Sequence, residues 1–510
     1  MTVKGIHRPV VLVSRAIAFT FPLSYAYLAG YLKEKGEPVE LLFRPEDKKY
    51  GNLVRDIADK RPILVGIGGL YPELKELAGL ISMIKEACPG VPVVIGGQMV
   101  TPIPELALEV TGADLAALGE GEVTLYNLVK YLREGKDLSG VRGLVFKKDG
   151  EFVHTGGEEY IEDLKDLPAI PYELFPERQW LEIGRWYARK FPQPHWRFND
   201  RVINVHGGRG CPFTCNFCYH HSKPRFRPVE LMMKEAREAL LSFKGNVLYF
   251  SDETTLYSTD RVRKIIDQIK SLPYPIEYSV SSRFDILDRI DDGLLAELRT
   301  TGCRIMGLGI ESGSDRVLKV IGKAFTADTV RRGLRRLKEA GILPTVSIML
   351  GQYAETEEEA EMSIRLVRDA VRENKNIQFN FTIATPFPGS KLYEQIFSGG
   401  YMKDDKEFYD KYFRSEGHWK SVVNMSAMSD EKLSLMYDRI WKVYRIEKRK
   451  AVGWKVAVLE LIMLWAGRIC YKAGLADNGI YENIQICLDR SRLEARGIIN
   501  GGKYARDQTG

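Results

Sequence analysis

The stretch Arg201-Val-Ile-Asn-Val-His206-Gly-Gly-Arg-Gly-Cys211-Pro-Phe-Thr-Cys215-Asn-Phe-Cys218 decides how the rest of the chain is read. Its first five residues are rich in β-branched side chains and form a short strand, which the glycines after His206 end. The three thiols at 211, 215 and 218 therefore sit on a glycine-rich loop at a strand's carboxyl end. Soft ligands at this spacing select iron–sulfur or zinc. Structural zinc takes four ligands, and no second Cys-x-x-Cys exists in the chain. Three cysteines can hold three irons of a [4Fe-4S] cluster and leave the fourth open, which suits catalysis better than electron transfer alone.

Downstream, strand patterns recur at Asn246–Phe250, Ile276–Val280, Arg304–Leu308, Leu343–Met349 and Phe379–Ile383, with helical stretches between nearly all of them. With Arg201–Val205 they make about six β/α units, which fits a partial TIM-like barrel with its chemistry at the strand ends. Upstream, Pro9–Ser14, Val39–Phe43, Ile63–Ile67 and Val91–Ile95 read as strands, and Pro22–Lys35 and Leu74–Ala87 as helices. That alternation predicts a Rossmann-like parallel sheet that binds its ligand beyond the carboxyl ends of the strands. Those ends carry Gly66-Ile67-Gly68-Gly69-Leu70, Gly96-Gly97-Gln98 and Gly119-Glu120-Gly121-Glu122. A hairpin around Asp149-Gly150 and the proline-stiffened Asp166-Leu-Pro-Ala-Ile-Pro-Tyr172 read as a connector. After Pro388 the pattern turns helical, and Ser429-Asp430-Glu431 starts a helix leading into Lys432–Lys450. The expected α/β organisation is a Rossmann-like domain at 1–145, a linker at 146–194, a partial (β/α)6 barrel at 195–400 and a basic, amphipathic helical region at 401–510.

The chain has 510 residues, 45% hydrophobic and 28% charged, which is enough for two or three cored domains and incompatible with disorder as the main state. Its 74 basic and 68 acidic residues leave a net charge of +6, too mild to point to a nucleic-acid partner. Seven cysteines, three of them within eight residues, make no disulfide framework and fit a reducing compartment. Arg15 and Pro22 break the first apolar run, so no signal-peptide layout opens the chain and a cytoplasmic location is expected. Around the apolar run at 456–466, Lys455, Glu460 and Arg468 keep uncharged stretches far below the ~20 residues a membrane span requires.

The C-x3-C-x2-C spacing, with Phe217 before the last cysteine, resembles the signature of radical S-adenosylmethionine (SAM) enzymes. Phe250-Ser-Asp252-Glu253 is similar to that family's acidic strand end, and Ser282-Arg283-Phe-Asp285 to its strand-end arginine. Gly307-Leu-Gly309-Ile-Glu311-Ser312-Gly313 is similar to its Gly-x-Glu-Ser-Gly segment, and Thr385-Pro-Phe-Pro-Gly-Ser-Lys-Leu-Tyr393 to the segment that closes the barrel. The resemblance implies a [4Fe-4S] cluster on Cys211, Cys215 and Cys218. It also implies SAM contacts at Phe217, Asp252, Glu253, Arg283 and Glu311: an acidic group for the ammonium, Arg283 for the carboxylate, and Glu311 for ribose hydroxyls or the amino group. Gly351-Gln-Tyr-Ala-Glu355-Thr356 departs from the family's Gly-x-Pro-x-Glu-Thr, so no adenine contact carries over there.

Beside such a barrel, the N-terminal region resembles the cobalamin-binding domain of the family's B12-dependent class. Gly68-Gly-Leu70 stands in the place of its Ser-x-Leu turn, Gly96-Gly97 in its second turn and Gly119-Glu-Gly-Glu122 in its third. Cobalamin contacts are thereby implied at Gly68, Leu70, Gly96, Gly97, Gly119, Glu120 and Gly121. None of the seven histidines has an aspartate two positions earlier, so the Asp-x-His-x-x-Gly motif is absent. A corrinoid without a protein histidine on cobalt is implied. Methylthiotransferases carry three further cysteines ahead of the barrel, whereas residues 1–200 here contain only Cys88.

The activity implied first is C-methylation of an unactivated carbon. One SAM supplies a methyl to cobalamin, and another is cleaved to a 5′-deoxyadenosyl radical that removes a substrate hydrogen. A cyclase or rearrangement enzyme with the same cofactors is the alternative within the class, and a non-catalytic corrinoid-binding or redox-sensing protein the alternative outside it. A low-potential donor of the ferredoxin or flavodoxin kind is the implied electron source. Between Arg439 and Lys472, nine basic residues outnumber two acidic ones, giving +7 beside Trp441, Trp454 and Trp465. This segment reads as a helix packed on the barrel with a solvated basic rim, as a peripheral contact with the inner membrane face that would go with a lipid or other hydrophobic substrate, or as a surface for RNA or another anionic partner.

Overall fold

The computed structural model describes residues 8–15, 21–45, 47–183, 197, 199–414, 422–453, 458 and 462. The chain divides into two compact units. The first comprises Met1–Glu177, Gly208–Arg227 and Thr385–Val423, and the second Arg178–Gly207, Pro228–Ala384 and Asn424–Gly510. The cysteine loop and the segment after Thr385, both inside the stretch read as barrel, thus group with the N-terminal sheet.

The first unit is built on β1 (Val10–Ser14), β2 (Val39–Phe43), β3 (Leu64–Gly68), β4 (Val93–Gly96), β5 (Leu115–Ala117), β6 (Leu144–Lys148) and β7 (Glu151–His154). The sheet runs in the order β2-β1-β3-β4-β5-β6-β7, and its first five strands are parallel. Val10–Ser14 is buried throughout, as a strand covered on both faces must be. Leu74, Leu77, Leu80, Ile81 and Ile84 recur at helical spacing and bury one face of the helix Leu74–Ala87. The hairpin expected at the head of the linker instead extends the sheet, with β6 pairing antiparallel to β5. Its turn has φ 54° at Asp149 and 91° at Gly150, the left-handed pair that a two-residue hairpin needs. Pairing there gives β5 a neighbour where it would otherwise be an exposed edge.

The second unit contains β8 (Val202–Val205), followed along the chain by β9 (Gly208–Arg209) and β10 (Arg225–Phe226) of the first unit. It then continues with β11 (Val247–Phe250), β12 (Glu277–Ser282), β13 (Cys303–Glu311), β14 (Leu343–Leu350) and β15 (Gln378–Ile383). The order β15-β14-β13-β12-β11-β8 is parallel throughout, and all six expected strands are present. At the amino ends, Arg304 is buried between Asp200 (2.6 Å) and Glu277 (2.9 Å). The helix Asp430–Val452, capped by Ser429, lies on the barrel: Trp441 packs on Phe381 at 4.9 Å, and Arg439 pairs with Glu361 at 2.6 Å. Among the described residues no helix is long and apolar enough to cross a membrane. The apolar run at 456–466 and the end of the +7 segment fall largely outside the described residues.

Candidate active site: strand ends, cysteine loop and glycine turns

In the first unit, register places Gly68 beside Gly96, and Gly96 beside Ala117. Three neighbouring strands therefore end with no side chain larger than a methyl. This leaves a backbone floor that a large planar ligand can approach closely, and on this ground the residues fit a corrinoid. Thr101 ties the second turn to the third: its Oγ1 accepts from Gly119 N (2.9 Å) and donates to Gly97 O (3.3 Å). At position 68, where the family turn has serine, a hydroxyl arrives from elsewhere. Tyr25 Oη accepts from Gly68 N at 2.6 Å, and the carbonyls of Val13 and Gly68 both lie 2.9 Å away as acceptors for its proton. A Cβ at 68 would stand 3.3 Å from that oxygen. Burial pushes the Tyr25 phenol up to about 12, so it stays protonated. Leu70 is exposed, and its amide donates to Glu73 (2.8 Å), which Arg44 holds at 3.1 Å.

The cysteine loop closes at its base through the antiparallel β9–β10 pair, Arg209 opposite Arg225 and Gly208 opposite Phe226. Gly210 has φ 74°, and a Cβ there would come within 2.4 Å of Ser222 O, so only glycine fits. Cys218 N donates to Cys215 O (3.2 Å), and Asn216 O accepts from Leu392 N (2.9 Å) in the segment after Thr385. Cys215 is buried, Cys211 and Phe217 are half-buried and Cys218 is exposed. Among the described residues, no three His, Cys, Asp or Glu side chains gather as ligands of a single ion. A cubane distributes its thiolates over separate irons, and a donor set of three thiols on one loop has the chemistry for it.

Glu120, expected on the corrinoid, has its carboxylate on the cysteine loop. Oε2 accepts from Arg209 Nη1 at 2.6 Å, and Oε1 accepts from Ser222 Oγ and Arg225 Nη2. Arg209 also reaches Glu122 at 2.6 Å and lies 5.4 Å over the Tyr27 ring. Burial alone would raise the Glu120 carboxyl, but Arg209, Ser222 and Arg225 outweigh it and hold the group below the usual carboxylate range. Gln98 Nε2 lies 3.2 Å from His221 Nδ1, a second contact between loop and turns. The charges of Arg209, Arg225 and Glu122 are plain in the sequence; their pairing, across 80 or more residues, is not.

In the second unit, Asp252, Arg283 and Glu311 stand at the carboxyl ends of β11, β12 and β13, the functional end of such barrels. Asp252 is buried, and its Oδ1 accepts from Gly207 N at 2.6 Å, while Glu253 is exposed. Arg283 is buried and donates through Nε to Asp285 (2.9 Å). Glu311 has φ 73°, a conformation that costs a non-glycine residue about 1–3 kcal/mol and recurs at functional sites. Its Oε2 accepts from Ser347 Oγ at 3.1 Å, and its Oε1 is 3.3 Å from Lys323 Nζ. A Cβ at position 309 would come within 2.2 Å of Glu311 Oε1, which accounts for the glycine. Glu355 is fully buried and braces its turn by accepting from Gly351 N (2.6 Å) and Gln352 N (3.2 Å).

Residues 205–367 match the Radical SAM superfamily model, and residues 9–129 match the B12 binding domain model. The chain is 28% identical over 379 residues to an uncharacterized methyltransferase of Pyrococcus horikoshii, covering 73% of this chain and 78% of that one. It is 25% identical over 435 residues to the anaerobic magnesium-protoporphyrin IX monomethyl ester cyclase of Rubrivivax gelatinosus, covering 83% and 73%. Its fold is similar to that of the radical SAM methyltransferase TsrM of Kitasatospora setae, solved with cobalamin and a [4Fe-4S] cluster, with a TM-score of 0.61, 20% identity and coverage of 77% and 75%.

Proposed function

The chain belongs to the radical SAM superfamily and to its B12-dependent class, and on that premise we propose that it is a C-methyltransferase acting on an unactivated carbon. It is an enzyme whose cofactors are a [4Fe-4S] cluster, SAM and cobalamin. When bound, these groups supply hydrogen abstraction from an unreactive carbon and a methyl group to replace the hydrogen, which side-chain acids and bases at neutral pH cannot do. Cys211, Cys215 and Cys218 hold the cluster. Asp252, with one oxygen fixed by Gly207, takes the SAM ammonium in preference to the exposed Glu253. Arg283, oriented by Asp285, takes the carboxylate, and Glu311 the ribose hydroxyls. Gly68, Gly96, Gly97, Gly119 and Gly121 form the floor under the corrinoid, with Leu70 at its edge.

The observation that carries this reading is that the cysteine loop packs with the glycine turns in one compact unit, since cluster and corrinoid must serve the same substrate carbon. The Pyrococcus relative supports methyl transfer, and the Rubrivivax relative supports ring closure as the second reading. The substrate we infer is hydrophobic, a membrane lipid foremost. Leu435, Lys442, Ile446 and Arg449 are exposed along one face of the helix Asp430–Val452, the mixture an anionic lipid surface attracts. A low-potential donor inside the cell supplies the electrons.

Anaerobic reconstitution with iron, sulfide, cobalamin, SAM and dithionite tests the proposal, followed by lipid and metabolite comparison of cells with and without the protein. Methyl transfer adds one CH2 unit to the product, and ring closure removes two hydrogens. Absence of 5′-deoxyadenosine would leave a corrinoid-binding protein without turnover.

A further inference from the structure

The contacts of Glu120 separate it from the corrinoid role that its place in the third glycine turn implies. It occupies the N-cap of the helix Gly121–Glu134, where a carboxylate ordinarily accepts from the first helical amides, yet it makes no side-chain cap hydrogen bond. Both of its oxygens go instead to the cysteine loop, Oε2 to Arg209 and Oε1 to Ser222 and Arg225. Arg209 is two residues before Cys211, and Arg225 faces it across the β9–β10 ladder, so the carboxylate grips both strands at the base of the loop. Side-chain exposures are 11% for each arginine, 7% for Glu120 and 4% for Glu122. At such burial, removing either partner strands the other's charge away from water.

We propose that Glu120 is a positioning residue for the cluster, seating the cysteine loop on the third glycine turn through Arg209 and Arg225, and that it is not a corrinoid contact. The inference rests on the reading of Cys211, Cys215 and Cys218 as cluster ligands.

The test uses full-length reconstituted protein carrying Glu120→Gln, Arg209→Gln or both. It reads the rate of iron release to a chelator under anaerobic conditions, the electron paramagnetic resonance spectrum of the reduced cluster, and the affinity for hydroxocobalamin. Glu120→Gln should speed iron release about 5- to 10-fold and alter the cluster spectrum, with cobalamin affinity within about 2-fold of the parent; the double variant should release iron more slowly than the product of the two single effects, because the two residues share one of their contacts. Arg209→Lys, which keeps the charge, should recover part of the iron retention. Should Glu120→Gln fold poorly, Glu122→Gln leaves the Glu120–Arg209 pair in place and should give a smaller acceleration. Weakened cobalamin binding with unchanged iron release, or additive effects of the two substitutions, would overturn the proposal. A parent protein that takes up no iron, or a Cys215→Ala protein that keeps it, would overturn the cluster reading and the proposal together. Parent-like behaviour of the Glu120 and Arg209 variants in an iron-loaded protein would overturn the proposal alone.

Discussion

Lys323 Nζ stands 3.3 Å from Oε1 of Glu311, and the two side chains are only 6% and 7% exposed. The pair neutralises a carboxylate at the end of β13 whose backbone is already held at positive φ. Lys323→Met leaves that carboxylate buried without its cation and should cost about 3–5 kcal/mol in urea unfolding. Glu311→Gln keeps the shape and the Ser347 contact but leaves the buried Lys323 ammonium without its counter-charge, so it too should lower stability, and SAM binding is read on protein shown to be folded by circular dichroism. Loss of the charge-assisted hydrogen bonds to ribose should weaken SAM binding about 10-fold, as measured by equilibrium dialysis. Unchanged SAM affinity would remove Glu311 from the binding site.

Burial pushes the Glu355 carboxyl up from 4.5 to about 7, although the amides of Gly351 and Gln352 pull the other way. For an acid whose pKa rises on folding, the folded state binds the extra proton. Its effect on stability is nil below about pH 4.5, grows more adverse as the pH rises toward 7, and is constant above that. Glu355→Gln should therefore gain on the parent by up to about 3 kcal/mol between pH 4.5 and pH 8, measured by urea unfolding of cofactor-free protein. A difference independent of pH would show that Glu355 ionises in the fold as it does in the unfolded chain.

These two sites mark where local sequence stops being informative. The strands beginning at Val10 and Leu343 are legible because β-branched residues there are bounded by turn residues, and the glycine clusters announce the strand ends. The Asp149-Gly150 turn is legible too. Its attachment to the sheet is not, because the choice of β5 as partner depends on an edge formed elsewhere in the chain. Arg283 and Glu311 are legible only through motif resemblance. Lys323, Tyr25 and Arg209 are missed because each meets its partner by packing, and a lone Lys, Tyr or Arg reads as surface or core until the fold supplies its neighbour.

The corrinoid should carry no protein histidine on cobalt. Among the described residues, His221 reaches the second glycine turn, its Nδ1 lying 3.2 Å from Gln98 Nε2. The electron paramagnetic resonance spectrum of the cob(II)alamin form should accordingly lack axial nitrogen splitting. Nitrogen coupling that disappears in a His221→Ala protein would show that this histidine ligates the metal.

Attachment to lipid depends on whether the basic residues of the helix Asp430–Val452 are still available to a membrane. Some are engaged on the barrel: Arg439 pairs with Glu361, Lys432 with Glu357, and Lys448 donates to Ile377 O. Lys442, Arg445 and Arg449 are exposed, and Leu435 and Ile446 are exposed at 57% and 40% beside them. Val458 and Ile462, further along, are exposed as well. A basic face interspersed with large apolar side chains binds anionic bilayers by charge and by insertion together. Each basic residue contributes up to about 1 kcal/mol near an anionic leaflet, so reversing Lys442, Arg445 and Arg449 to Glu should lower vesicle affinity by roughly 100-fold. Flotation measures this directly: the parent should rise with phosphatidylserine-containing vesicles at low salt and be released at high salt, where the Debye length shrinks to about 3 Å at 1 M. The reversed protein should stay in the dense fraction under both conditions while keeping its iron and cobalamin. A parent that never floats would return the helix to a structural role on the barrel and leave the lipid substrate without support.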